Sequence, residues 1–406
     1  MRKISLLVFM LALLMPISAQ QVKLGIEVLR DMDFKPLEGK RVGLITNPTG
    51  VDSKLKSTID ILHESPKVNL VALYGPEHGV RGDVHAGDKV DDAKDKKTSL
   101  PVFSLYGKTR KPTKEMLKGI DVLVYDIQDI GCRSFTYIST MGLAIEAAHE
   151  NGIEVMVLDR PNPIGGLKVE GCITEDKFIS FVSQFKIPYL YGLTCGELAN
   201  FLVGEKMLPK CKLTVIPMEN WRRDMDYTKT GLQWIPASPH IPHPHSAFFY
   251  PVSGIVGELG VISIGVGYTI PFQMFATDSI PADLLADNLN ALNLEGVFFR
   301  PMHIKPFYSV GQGKNYQGVQ VHIFDYDKAE LSDIQFYVMQ EMYKINPKMD
   351  FFNRCDKSRL SMWDKVSGSD YIRKEFSKGY DYKSIKAYWQ KDNDSFKALS
   401  KTYWLY

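Results

Sequence analysis

Short apolar runs rich in β-branched residues recur along the first half of the chain, and the segments between them repeat their apolar positions at helical spacing. Residues 41–46, 68–74, 102–105, 121–126 and 153–158 predict five strands, because near-continuous hydrophobicity is what a strand covered on both faces requires. Residues 53–63, 113–118 and 140–151 predict helices, the last two closed by Gly119 and Gly152, and Met141, Ala144, Ile145 and Ala148 mark one face of the third. Strand and helix in alternation imply βαβ units, and so an α/β fold with a doubly wound, mostly parallel sheet.

Sheets of this kind bind ligands beyond the carboxyl ends of their strands. Those ends are polar and turn-rich here, over residues 46–50, 75–83, 126–133 and 159–166. Their loops bring Glu77, His78, Arg81, Asp83, Asp126, Asp129, Arg133, Asp159, Arg160 and Asn162 toward one rim, which is the expected site. From about residue 246 the texture changes to a Gly-rich apolar stretch, followed by aromatic-rich strands and helices. A first domain over 20–245 and a second, smaller α/β domain over 246–406 are expected, joined through the Pro/His-rich segment 236–251.

Composition adds exclusions. At 45% hydrophobic and 24% charged residues the chain is an ordinary globular one, which argues against disorder and collagen-like repetition. The formal charge of +2 is too small to advertise nucleic acid or an anionic membrane. Both excess charges, Arg2 and Lys3, precede the apolar run 4–16 and small residues ending at Ala19, the pattern of a secretory signal peptide over 1–19. No later stretch has the ~20 apolar residues a membrane span needs, so a periplasmic or secreted protein is expected. Five widely spaced cysteines without a C-x-x-C read as buried free thiols.

The chemistry-bearing residues narrow the class further. There is no G-x-G-x-x-G or G-x-x-x-x-G-K-[ST] after the first strand, so no nucleotide cofactor is expected. Gly75-Pro76-Glu77-His78-Gly79 fixes a carboxylate and an imidazole on an unusual backbone directly after a buried strand, which makes Glu77 a candidate general acid or base. A neighbouring carboxylate such as Asp83, Asp126 or Asp129 could tune it. Arg81 and Arg133 have the fork geometry for a substrate carboxylate, although pairing with Asp83 or Asp129 would occupy them equally well. His240, His243 and His245 alternate with prolines in a pattern unlike known zinc spacings, so stacking on a sugar, or lining a hinge, suits them better than metal binding. Thr194 and Glu197 fit a capping box, which assigns Glu197 to structure.

On these residues the chain resembles the NamZ-type exo-β-N-acetylmuramidases, long listed as a bacterial domain of unknown function. The carriers are the blocks at 46–50, 74–82, 126–137, 158–166, 169–171, 191–198 and 234–239, in order along nearly all of the mature chain. The resemblance implies a Rossmann-like domain with an ancillary domain, a cleft between them, and release of terminal N-acetylmuramic acid from peptidoglycan fragments, with Glu77 as general acid/base. A glycosidase of the common type needs a second carboxylate, for which Glu258, Asp126 and Glu170 stand open. Asn47, His78, Arg81, Asp83, Gln128, Asp129, Arg133, Arg160, Asn162, Glu170 and His240 are the expected substrate-binding residues, with no metal or other cofactor. One departure marks the second half: where members usually carry Ser-Glu-Gly-Arg-Gly and then Arg before Pro-Phe-Glu, this chain has Ser263-Ile264-Gly265-Val266-Gly267 and Ile270-Pro271-Phe272-Gln273. The alternative is a muropeptide-binding protein that keeps the cleft without catalysis.

Overall fold

The computed structural model describes residues 21–82 and 93–406, so the expected signal peptide and Asp83 lie outside the described residues. The first half contains, in order, α1 (Gly25–Asp31), β1 (Arg41–Thr46), α2 (Thr58–Glu64), β2 (Asn69–Gly75), β3 (Ala93–Lys94), β4 (Pro101–Ser104), β5 (Val122–Asp126), α3 (Tyr137–Asn151), β6 (Glu154–Leu158), α4 (Cys195–Gly204) and β7 (Leu213–Ile216). Among the described residues these strands form one sheet in the order β3-β4-β2-β1-β5-β6-β7, parallel except for the short edge strand β3. Chain order reverses between β1 and β5, the switch point of a doubly wound fold.

The strands are apolar throughout because each has two covered faces. Ile45, Leu123, Tyr125, Val155 and Val157 enter one buried cluster, while Val42, Leu44, Val122, Val124, Met156 and Leu158 enter the other. Helix α3 packs on the first of these faces and ends at Gly152, whose φ of 66° is the left-handed cap that glycine takes without strain. The expected helix at 53–63 begins only at Thr58: Asp52 Oδ1 accepts from the Lys54 and Lys56 amides, which holds 52–56 as a loop, and Ser57 caps the helix by accepting from the Asp60 amide. Residues 113–118 form turns rather than the expected helix, since six residues give too few hydrogen bonds to offset nucleation.

The second half contains α5 (Ser246–Gly257), β8 (Met274–Thr277), α6 (Ala282–Ala291), β9 (Val297–Ile304), β10 (Tyr316–Ile323), α7 (Ile334–Ile345), α8 (Phe351–Arg354), α9 (Lys357–Ser367), α10 (Tyr371–Phe376), α11 (Lys383–Gln390) and α12 (Asn393–Ser400). Its three strands form an antiparallel sheet in the order β8-β10-β9. The halves share a core, for one buried cluster joins Ile130, Cys132, Tyr189 and Leu190 to Val252, Phe336, Trp363 and Trp389. Among the described residues no helix is long and apolar enough to cross a membrane.

Candidate active site

The crevice at the β1/β5 switch point is nearly filled. Thr49, Gln128, Arg160, Tyr227 and their neighbours leave a cavity of about 10 Å³, room for roughly one water. Asp126 and Arg160 form a buried pair there, with Arg160 Nη2 2.9 Å from Asp126 Oδ2 and donating also to the Val51 carbonyl at 2.8 Å. Thr58 Oγ1 donates to the same Asp126 carboxylate, so both of its oxygens have partners. Asp126, expected among the catalytic carboxylates, and Arg160, expected to bind substrate, thus form a buried ion pair beneath the rim.

Several other rim residues bond to the rim's own loops, although Asn47 Nδ2, Gln128 Oε1 and Asp129 Oδ1 are buried without a hydrogen-bond partner. Asn47 Oδ1 accepts from the Thr49 amide at 2.9 Å, Gln128 Nε2 donates to the carbonyls of Asp129 and Pro161, and Asn162 Nδ2 donates to Leu193 O. Asp129 accepts from the Gly131 amide and the Tyr191 hydroxyl, and burial pushes its carboxyl up to about 6. These four hold the loops in shape.

The two expected carboxylate-binding arginines have other partners. Arg81 is bidentate on Asp95, at 2.9 and 3.0 Å. Burial alone would raise the Asp95 carboxyl, but the Arg81 and Thr98 hydrogen bonds outweigh it and hold the group at about 2. Arg133 is fully buried and donates to the carbonyls of Cys172, Ile187 and Val366 and to Ser183 Oγ, which stitches the first half to α9. Glu170 is another stitch: its carboxylate accepts from the Leu331 and Ser332 amides at 3.2 and 2.8 Å, which ties the 170 loop to the second half.

Glu77 and His78 occupy the turn after β2, where His78 has φ of 72° and Gly79 φ of 73°. A left-handed histidine is strained, and such strain persists where surrounding structure over-determines it. The half-buried Glu77 carboxylate accepts from Thr136 Oγ1 at 3.1 Å and from the Tyr106 hydroxyl. Burial, then the Glu77 charge and hydrogen bond, push the Tyr106 phenol up to about 12, with Arg110 opposing. His78 lies near His240, whose Nε2 is 2.9 Å from the Tyr308 hydroxyl. Burial, then His78, lower the His240 imidazole.

Tyr250, on α5, links this corner to the second half. Its ring packs edge-on against Phe135 and Phe272, its hydroxyl is 3.2 Å from Ser134 Oγ, and both Glu77 and Glu258 act on it electrostatically. Glu258, just past the end of α5, lines a pocket of about 210 Å³ with Tyr250, Ile262, Ser263, Ile264, Val266, Phe272, Ser309 and Val310. Desolvation by these walls raises its carboxyl above the ordinary glutamate value, and the charge of Arg359 opposes the rise. Ile264 and Val266 are two of the positions at which the chain departs from the expected pattern, and both line this pocket as apolar walls. The structure thus brings Glu77, His78, His240 and Glu258 around Tyr250 and the 308–310 loop.

Sequence reasoning missed Tyr106, Thr136, Tyr250 and Tyr308. Thr136 lies within the 126–137 block, but a single hydroxyl or phenol carries no local signature of its partner. His240 turns toward Tyr308 and His245 onto Tyr326, and no group of three metal-ligating side chains occurs among the described residues. Glu197 is the capping carboxylate expected, accepting from the Thr194 amide and also from Arg223.

Comparison with known proteins places these features in a lineage. A relative, the peptidoglycan beta-N-acetylmuramidase NamZ of Bacillus subtilis (strain 168), is 44% identical over 386 residues, 95% of this chain and 92% of that protein. A crystal structure of a DUF1343 family protein from Bacteroides fragilis NCTC 9343 superposes with a TM-score of 0.93 at 69% identity, covering 95% of this chain and 99% of that one. A second DUF1343 family structure from the same organism has a TM-score of 0.73 at 29% identity, with the same coverage. Residues 42–245 match the N-terminal family model of exo-beta-N-acetylmuramidase NamZ and residues 248–406 its C-terminal counterpart, so the chain belongs to the NamZ exo-beta-N-acetylmuramidase family.

Proposed function

We propose that this protein is an exported exo-acting glycosidase that releases terminal N-acetylmuramic acid from peptidoglycan fragments, with Glu77 as its general acid/base. The observation that carries the reading is the Glu77 turn: a half-buried carboxylate next to two left-handed residues, held by two hydroxyl donors and close enough to Tyr250 to act on it electrostatically. A group so held is poised to protonate a leaving glycosidic oxygen, because its position is set before substrate arrives.

Glu258 is the second carboxylate in this reading. It shares Tyr250 with Glu77, and its pocket walls raise its pKa above the ordinary glutamate value, which makes it a stronger base than an exposed carboxylate. As base for water or as nucleophile it completes the pair that glycoside hydrolysis commonly requires.

The test is release of chromophore from a chromogenic β-N-acetylmuramide by the wild-type protein beside Glu77→Gln. The variant is expected to lose about 10²- to 10⁴-fold in kcat, the usual worth of general acid/base catalysis, with an unchanged melting temperature. Full turnover by the variant removes Glu77 from the mechanism. A wild type that binds the sugar and never releases chromophore is instead a binding protein.

A further inference from the structure

The site as built has two carboxylates and lacks the cations the sequence assigned to it. Arg81 is closed on Asp95, Arg133 is buried among carbonyls and Arg160 is paired with Asp126. The pocket beside Glu258 has no lysine or arginine in its lining, and the nearby Arg359 donates to the Glu258 backbone carbonyl, so a substrate carboxylate there would face a glutamate with no cation lining the pocket. A sugar bearing a carboxylate therefore needs a cation elsewhere around Glu77.

Arg110 is placed to be that cation. It is exposed, its guanidinium carbon lies 4.1 Å from the centre of the Phe181 ring and 5.4 Å from that of Tyr106, and the two rings are 6.2 Å apart. Tyr106 is the phenol that donates to Glu77, so one aromatic ring separates the guanidinium from the candidate acid/base group. Among the described residues no carboxylate makes an ion pair with Arg110. Stacking on two aromatic faces restricts the guanidinium's rotamers while leaving its N–H edge to bind in the plane, the geometry that matches a carboxylate bidentately. The Phe181 side of this clamp is fixed in turn, since the Phe181 carbonyl accepts from Ser139 Oγ of α3 at 2.7 Å.

We propose that Arg110 reads the substrate: stacked on Phe181 and Tyr106, it binds the lactyl carboxylate of the sugar whose glycosidic bond lies at Glu77. This rests on the glycosidase reading above and deepens it by naming the residue that separates a muramic acid, with its lactyl ether, from a glucosamine that lacks it. The pocket beside Glu258, uncharged apart from that residue, is left for a neutral part of the sugar.

Two matched chromogenic substrates test it, the β-N-acetylmuramide with its free lactyl carboxylate and the same compound with that carboxyl converted to a methylamide. Wild type is expected to prefer the free acid. Arg110→Ala should cut the ratio of kcat/KM for acid over amide by about 10- to 100-fold, the range for loss of a charge-assisted bidentate contact, and Arg110→Lys should restore part of it. Equal losses on both substrates, or an unchanged ratio, would overturn the assignment. Calorimetric titration with free N-acetylmuramic acid and with N-acetylglucosamine reads the same residue without turnover. Arg110→Ala should weaken the acid's binding at least tenfold, and unaltered discrimination between the two sugars would count against Arg110 even if the protein proved to hydrolyse neither substrate. Absence of hydrolysis with intact discrimination in wild type, abolished in Arg110→Ala, would sink the glycosidase reading and leave this one standing.

Discussion

At the scale of single residues, the two carboxylates around Tyr250 live in different surroundings, and that difference is measurable. Glu77 is met by the hydroxyls of Thr136 and Tyr106, whereas Glu258 is walled by Ile262, Ile264, Val266 and Phe272. If Glu258 must be ionised to act, kcat/KM falls as pH drops through its raised pKa, so the acid limb of the profile lies above the ordinary glutamate value. Arg359, whose charge opposes the rise, donates through its guanidinium to the Glu258 backbone carbonyl and not to its carboxylate. Arg359→Ala should therefore move the acid limb to higher pH with the plateau changed by less than about twofold, because removing a nearby cation disfavours the ionised form. A limb that stays in place would detach Glu258 from the profile. Glu77 could be read as a candidate from its turn, since Gly, Pro and His at fixed offsets bear directly on local backbone. The fates of Arg81 and Arg133 could not, because their partners lie 14 to 233 positions away and only the folded chain sets them side by side.

At the scale of elements, legibility followed burial. Strand β1 coincides with residues 41–46 and β2, β4, β5 and β6 fall within a residue of their expected positions, because each is sandwiched between two apolar layers and its composition records that. The two-residue edge strand β3 and the half-covered β7 carry no such record. The cap of α4 was legible for a different reason, as its two partners are three residues apart. Thr194 Oγ1 accepts from the Glu197 amide and donates to Asp159 Oδ2 at 2.7 Å, and burial pushes the Asp159 carboxyl up to about 6. Thr194→Ala thus removes a cap and a donor to a buried carboxylate together. It should cost about 2–4 kcal/mol in urea unfolding with m unchanged, while Thr194→Ser should cost less than about 1 kcal/mol. Equal losses for the two would mean that the threonine methyl, and not its hydroxyl, matters.

For the whole molecule, the final residues do what neither half does alone. Chain leaving α12 returns to the β6–α4 corner, where Trp404 stacks 3.9 Å from the Arg223 guanidinium carbon, the Leu405 amide donates to Glu197 Oε1 at 2.8 Å and the Tyr406 hydroxyl donates to Asp159 Oδ2 at 2.8 Å. Tyr406 also accepts from the Met218 amide and packs edge-on against Trp221. The tail therefore closes a buried cluster of Asp159, Glu197 and Arg223 that would otherwise meet water on one side. Together with the Arg133 and Glu170 stitches and the shared apolar cluster, it leaves few ways for one half to open without the other. Scanning calorimetry should accordingly show one unfolding transition for the full chain. Deleting residues 404–406 should lower its midpoint by several degrees, and by more than Tyr406→Phe, which takes away the hydrogen bond to Asp159 while keeping the ring. Two separated transitions in the full chain, or a truncated chain that melts with wild type, would mean that the halves are held together by something other than these contacts.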